Sequence, residues 1–129
     1  MTAYRIVLTA DAVTDRETIY RYTRDQFGPA QARRYDGFLD DAIASLALNP
    51  KRTGSKPRSE IAEGIRSLRL AIAGNAPGQS RASHVILYFE HTGNRVVISR
   101  ILHESMDLQR HVRDLPTRDE PERNEDHER

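Results

Sequence analysis

The chain has 129 residues with no cysteine and no tryptophan; the length suits one domain, and the composition excludes disulfides, thiolate nucleophiles and Cys-type zinc sites. Charged residues make up 30% and hydrophobic residues 37%, the balance of a small globular protein with a hydrated surface. A formal net charge of +1 argues against a strongly basic nucleic-acid binder only if charge is evenly spread, and residues 113–129 hold four Arg against seven Asp and Glu, leaving sixteen basic and twelve acidic groups in residues 1–112.

At the N-terminus Tyr4, Ile6 and Leu8 alternate with Arg5, Val7 and Thr9, a strand period. The apolar stretch Ile6-Val7-Leu8 is too short for a signal-peptide core, and no apolar run approaches the roughly 20 residues of a membrane helix, so a cytoplasmic protein is expected. Thr9 or Asp11 then caps a helix in which Ala12, Ile19, Tyr22 and Phe27 fall near one face. Gly28 suits the position just past that helix, and Pro29 the first turn of the next. In the second helix Ala32, Tyr35, Leu39, Ala42 and Leu46 recur at spacings of 3 and 4, with Phe38 and Ile43 beside them, until Asn49-Pro50 ends it. The short link forces an antiparallel helical hairpin.

Residues 51–59 read as a polar, basic loop with Gly54 and Pro57. Strand patterns follow over 65–72, 83–90 and 95–103. A long turn separates the first two, and His91-Thr92-Gly93-Asn94 joins the last two as a hairpin. This order predicts an α+β fold: an N-terminal strand, an antiparallel αα-hairpin, then a three-stranded antiparallel sheet with the helices on one face. Plain alternation puts Val96, Ile98 and Leu102 on one face of the last strand and Val97 and Ile101 on the other. Both sets are apolar, so the second face is expected to be covered as well, by residues 106–108 or by another protein. Residues 113–129 are too poor in apolar side chains to offset their ordering entropy and are expected to be a disordered acidic tail outside a domain of residues 1–112.

Signals of chemistry are sparse. There is no Gly-rich phosphate loop and no Gly-x-Ser-x-Gly elbow. Asp15, Glu17, Asp25, Asp36, Asp40 and Asp41 read as solvated helix faces. His103, Asp107 and His111 would share a face of a helix, but nothing else converges on them, so neither a metal nor another cofactor is expected. His84 reads as a hydrogen-bonded edge residue. Arg66 and Arg69, Arg81, and Arg95 and Arg100 lie on or beside the later strands. Odd spacing puts the members of each pair on opposite faces, so neighbouring strands would have to contribute one guanidinium each to a phosphate- or carboxylate-binding cluster. Ion pairs and a solvated face explain these arginines equally well, except Arg100, which stands where an apolar residue is expected.

The run Arg100-Ile101-Leu102-His103-Glu104-Ser105-Met106-Asp107-Leu108-Gln109-Arg110-His111 resembles the terminal signature of ParE toxins. Other pieces agree in order: Ile19-Tyr20-Arg21-Tyr22-Thr23 with Phe27-Gly28, Gln31-Ala32-Arg33-Arg34-Tyr35, Leu46-Ala47 with Asn49-Pro50, Gly64-Ile65-Arg66-Ser67-Leu68, and Ser83-His84-Val85-Ile86-Leu87-Tyr88. The resemblance covers about residues 4–112, and implies a RelE/ParE-type toxin of a bacterial type II toxin–antitoxin pair. It implies poisoning of DNA gyrase by binding, with no catalytic residue. It also implies neutralisation by a ParD-like antitoxin, through which alone operator DNA would be contacted, and no membrane partner. The toxic contact is then expected at Arg100, His103, Met106, Asp107 and Arg110. The antitoxin contact is expected at Arg66, Arg69, Tyr88, Val97, Ile101 and Leu108. The alternative on the same fold is a RelE-type, ribosome-dependent mRNA endoribonuclease, for which Arg66, Arg81, Arg100, His84 and Tyr88 are candidate groups. Against it stand the ParE-like signature and a chain with only two lysines, Lys51 and Lys56. Two departures from the family pattern are the long loop over 73–82 and the acidic tail.

Overall fold

A computed structural model describes residues 3–70 and 84–103. They form β1 (Arg5–Leu8), α1 (Ala10–Phe27), α2 (Pro29–Leu48), β2 (Lys56–Pro57), β3 (Arg66–Arg69), β4 (His84–His91) and β5 (Arg95–His103). Thr9 is the hinge between β1 and α1: its Oγ1 accepts the Ala12 N–H at 3.0 Å, satisfying a donor the helix leaves open. Gly28 alone separates the helices, with φ 95° and ψ 162°, and Pro29 fills the first turn of α2.

The α2 stripe is buried as its spacing predicts, with Ala32, Tyr35, Leu39, Ala42 and Leu46 at most 3% exposed. In α1 the expectation fails in the second half, where Tyr22 and Phe27 are 61% and 67% exposed. At about 100° per residue, Tyr22 lies about 80° and Phe27 about 60° away from Ala12, whereas Thr23 lies about 20° away and is the buried residue of that turn.

The strands form one sheet in the order β1-β5-β4-β3-β2. β1 runs parallel to β5, and the other pairs are antiparallel. The helical hairpin thus carries the chain from β1 at one edge of the sheet to β2 at the other, and β5 returns to lie parallel beside β1. β2 lies inside the expected basic loop; two residues, one of them proline, carry no strand period. β3 is shorter than its pattern, ending at Arg69, while residues 71–83 lie outside the described part.

The helices cover one face, where Tyr35, Leu39, Ala42, Ile43 and Leu46 pack with Leu68, Ile86, Tyr88, Val96, Ile98 and Ile101. The opposite face gathers Ile65, Val85, Leu87, Phe89, Val97 and Leu102, with Val7, Ile61 and Ala62 packed against them. These six are at most 3% exposed, so the second face is covered; residues 106–108, named as a cover, lie outside the described residues. The facing of β5 corrects the alternation rule. Leu87 pairs with Arg100 but Tyr88 pairs with Ile98, so Ser99 is an extra residue, a β-bulge. One extra residue inverts every later side chain, which puts Ile101 with Val96 and Ile98, and Leu102 with Val97.

Candidate functional site

The end of β5 is built from α1. Thr9 Oγ1, besides capping α1, donates to the Ser99 carbonyl at 2.8 Å. The Thr9 N–H donates to the Ile98 carbonyl at 3.1 Å. Two turns along the helix, Asp15 takes Arg100 in a bidentate pair: Nε to Oδ2 at 2.8 Å and Nη2 to Oδ1 at 2.9 Å. Asp15 Oδ2 also accepts the Ile101 backbone N–H at 2.9 Å. The two side chains are 20% and 12% exposed, so this pair is better shielded from water than a surface ion pair, and the hydrogen-bonded carboxylate raises the Arg100 pKa. Bulges re-aim side chains, and here the guanidinium is aimed at α1.

Asp15 therefore departs from the solvated-face reading. It lies three residues after fully buried Ala12 and four before Ile19, on the inward stripe, and that spacing is the sequence signal that identifies it. Asp36 departs in part: Arg16 Nε donates to its Oδ1 at 2.9 Å and Arg16 Nη2 to Asp40 Oδ1 at 2.5 Å, tying α1 to α2.

Next to this pair, His84 and His103 face each other across β4 and β5 with ring centroids 5.4 Å apart. The Tyr35 hydroxyl lies 2.7 Å from His84 Nδ1. β4 sits between β3 and β5, but its pairing with β3 covers Val85–Tyr88, and half-buried His84 lies at the strand's end, opposite His103 of β5. Burial pushes its pKa down to about 4, His103 pushes the same way, and Asp15 opposes both. Burial raises the Tyr35 pKa. A neutral imidazole has one N–H donor and one acceptor nitrogen, and the tautomer decides which way the bond to Tyr35 runs. Among the described residues no three potential metal ligands converge.

A second network closes the other end of β4. Tyr88 is fully buried and its hydroxyl donates to the Pro50 carbonyl at 2.5 Å. Ser55 Oγ hydrogen-bonds the same hydroxyl and accepts from Arg66 Nε at 2.8 Å. With the tyrosine proton already committed, the bonds run one way, from Arg66 through Ser55 and Tyr88 to Pro50, and pin the basic loop to the sheet. Arg66, Lys51 and Glu90 also border a cleft of about 270 Å³.

Of the residues expected at the toxic contact, Arg100 and His103 both lie in the last four residues of β5, one bonded to Asp15 and the other against His84; Met106, Asp107 and Arg110 lie outside the described residues. Of those expected to meet an antitoxin, Tyr88, Val97 and Ile101 are core residues at most 2% exposed. They are inaccessible because they complete the two packed faces. Arg66 is half-buried and Arg69 exposed; Leu108 lies outside the described residues. The guanidinium cluster does not assemble among the described residues: Arg66 goes to Ser55, Arg95 to the Thr92 carbonyl and Arg100 to Asp15. The candidate nuclease groups are likewise apart. Tyr88 and Arg66 belong to the loop network, His84 and Arg100 to the α1 side, and Arg81 lies outside the described residues.

Residues 6–108 match the family model described as ParE toxin of type II toxin-antitoxin system, parDE. The chain is 36% identical over 114 residues to Toxin ParE of Escherichia coli, covering 88% of this chain and 96% of that protein. It is 32% identical over 108 residues to Toxin ParE1 of Mycobacterium tuberculosis, covering 84% and 97%. Toxin ParE1 of Caulobacter vibrioides is 30% identical over 112 residues, covering 87% and 99%. Among solved structures, a chain of a chromosomal ParDE TA system from P. aeruginosa has the same fold, with a TM-score of 0.59 at 18% identity over 78% of this chain and 96% of that one.

Proposed function

The chain belongs to the ParE toxin family of type II toxin–antitoxin systems, and on that premise we propose that it is the toxic partner of a ParD-like antitoxin and acts in the bacterial cytoplasm by binding DNA gyrase. The observation that carries the reading is the family match over residues 6–108, which takes in the signature from Arg100 to Leu108. The geometry favours action by binding over bond cleavage. Every described candidate for acid–base or phosphate chemistry is taken up by an internal bond: Tyr88 by Pro50, Arg66 by Ser55, His84 by Tyr35, Arg100 by Asp15. An endoribonuclease needs such groups gathered around one phosphate.

The toxic contact is assigned to the segment that starts at Arg100 and His103 and continues through Met106, Asp107 and Arg110, within a functional domain of residues 1–112. For the antitoxin, Arg66 and Arg69 on β3 and Leu108 are the contacts retained, since a partner reaches surface side chains and not Tyr88, Val97 or Ile101. No helix among the described residues is long and apolar enough to cross a membrane. The test adds purified protein to a gyrase supercoiling and cleavage assay and, separately, to a translating extract. Inhibited supercoiling with gyrase-linked DNA breaks is expected, with messenger RNA intact. Cleaved messenger with undisturbed gyrase would replace this reading by the nuclease one.

A further inference from the structure

We propose that Asp15 is a positioning residue for the C-terminal signature: together with Thr9 it holds the β5 bulge, and so fixes the register and facing of the strand end from which the toxic segment continues. The proposal rests on the reading that this segment makes the toxic contact. It gives Arg100 a specific part, as the group through which α1 grips the strand, in place of direct contact with the target.

Four bonds from the cap and second turn of α1 land on three consecutive residues of β5. Thr9 Oγ1 reaches the Ser99 carbonyl, Asp15 the Arg100 guanidinium, and Asp15 again the Ile101 N–H. The spacing suits this: six helical residues rise about 9 Å, and the two strand steps from Ser99 to Ile101 span about 7 Å. The bulge is also where facing is decided. With Ser99 accommodated, Ile101 enters the helix-side core and Leu102 the opposite one. Without it the two exchange faces, and His103 loses its place against His84. The bulge leaves Ser99 without a partner across the ladder, and two residues on, the Ile101 N–H donates to the Asp15 carboxylate. The helix thus supplies the bonds that make the inverted register the stable one.

Direct contact and positioning predict different behaviour for Asp15. Amide hydrogen exchange at Ile101, Leu102 and His103 would be measured together with gyrase inhibition, below the melting temperature of each variant, for wild type, Asp15→Asn, Asp15→Ala, Arg100→Ala and the double alanine variant. Positioning predicts exchange at these three amides faster by about tenfold or more in Asp15→Ala and Arg100→Ala, the scale of losing one charge-assisted hydrogen bond, with α2 amides unchanged. Inhibition falls by a similar factor in both, and the double variant falls no further, because the two side chains act as one unit. Asp15→Asn keeps an acceptor for the Ile101 N–H but loses the charge. It falls in between, and it decides the matter if the alanine variant does not fold. Full inhibition by Asp15→Ala (or Asp15→Asn) alongside a defective Arg100→Ala would mean that Arg100 touches the target itself, and would overturn the proposal; so would unchanged exchange at 101–103. Wild-type protein that leaves gyrase untouched would overturn the functional reading instead, and the exchange pattern alone would then decide the clamp.

Discussion

His84 is a histidine that the fold keeps neutral. Its pKa is pushed from 6.5 down to about 4, first by burial and then by His103, while Tyr35 occupies Nδ1. The unfolded chain therefore takes up a proton near pH 6.5 that the folded chain refuses until about pH 4. Stability is full above pH 6.5 and declines as pH falls toward 4. At about 1.4 kcal/mol per pH unit, the loss attributable to His84 is about 2 kcal/mol between pH 6.5 and about pH 5, a window in which carboxylates scarcely titrate. Urea denaturation across this window should show that slope in the wild type and a clearly shallower one in His84→Gln. Equal slopes would show that His84 is protonated alike in both states. The same residue marks what a sequence conveys at this scale. That His84 begins a strand and is hydrogen-bonded follows from its neighbours, but its partner, Tyr35, is 49 residues away, a pairing no local pattern encodes.

At the scale of elements, the hairpin turns on Gly28. Its φ of 95° with ψ of 162° is a conformation essentially reserved for glycine. An added Cβ meets nothing within 4 Å, so the obstacle is backbone strain and not crowding. Gly28→Ala should cost about 2 kcal/mol. Gly28→Asn should cost a similar amount, because asparagine tolerates the left-handed helical region but not this one. A thermal melt of both variants checks this; a neutral Asn variant would show that the turn relaxes. The helices were legible because each carries its own boundary chemistry: Thr9 before α1, Gly28-Pro29 between, Asn49-Pro50 after, and an apolar stripe along α2. The strands were legible in number and order, apart from β2, but not in facing. Alternation counts residues, and the bulge at Ser99 adds one that depends on α1 to hold it. Asp15 was misread for the complementary reason: a carboxylate on a helix is usually solvated, and the partner that reverses this, Arg100, is 85 residues away. Burial is the part of the antitoxin set that pattern alone does not give: Tyr88 and Ile101 pack on the helix side of the sheet and Val97 on the other, because the bulge at Ser99 and the partners of each face lie far away in the chain.

For the whole molecule, the net charge of +1 is the sum of two unlike parts, a basic body and a tail of four Arg against seven Asp and Glu over residues 113–129. The family match stops at residue 108, and the alignment with the E. coli toxin, over 114 residues, spans 96% of that protein. A tail that only solubilises is dispensable to toxicity. Truncation after Val112 should then leave growth inhibition intact, measured by induced expression with the antitoxin absent. The charge makes a second, independent readout. Removing a net −3 raises the body to +4, and exposed charges interact over about a Debye length, 8 Å at physiological salt. The truncated protein should elute from a cation-exchange resin at higher salt than the full chain, with toxicity unchanged. Toxicity lost on truncation, at wild-type thermal stability, would instead make the tail a contact with the target. Unchanged elution would show that the tail stays clear of the basic surface.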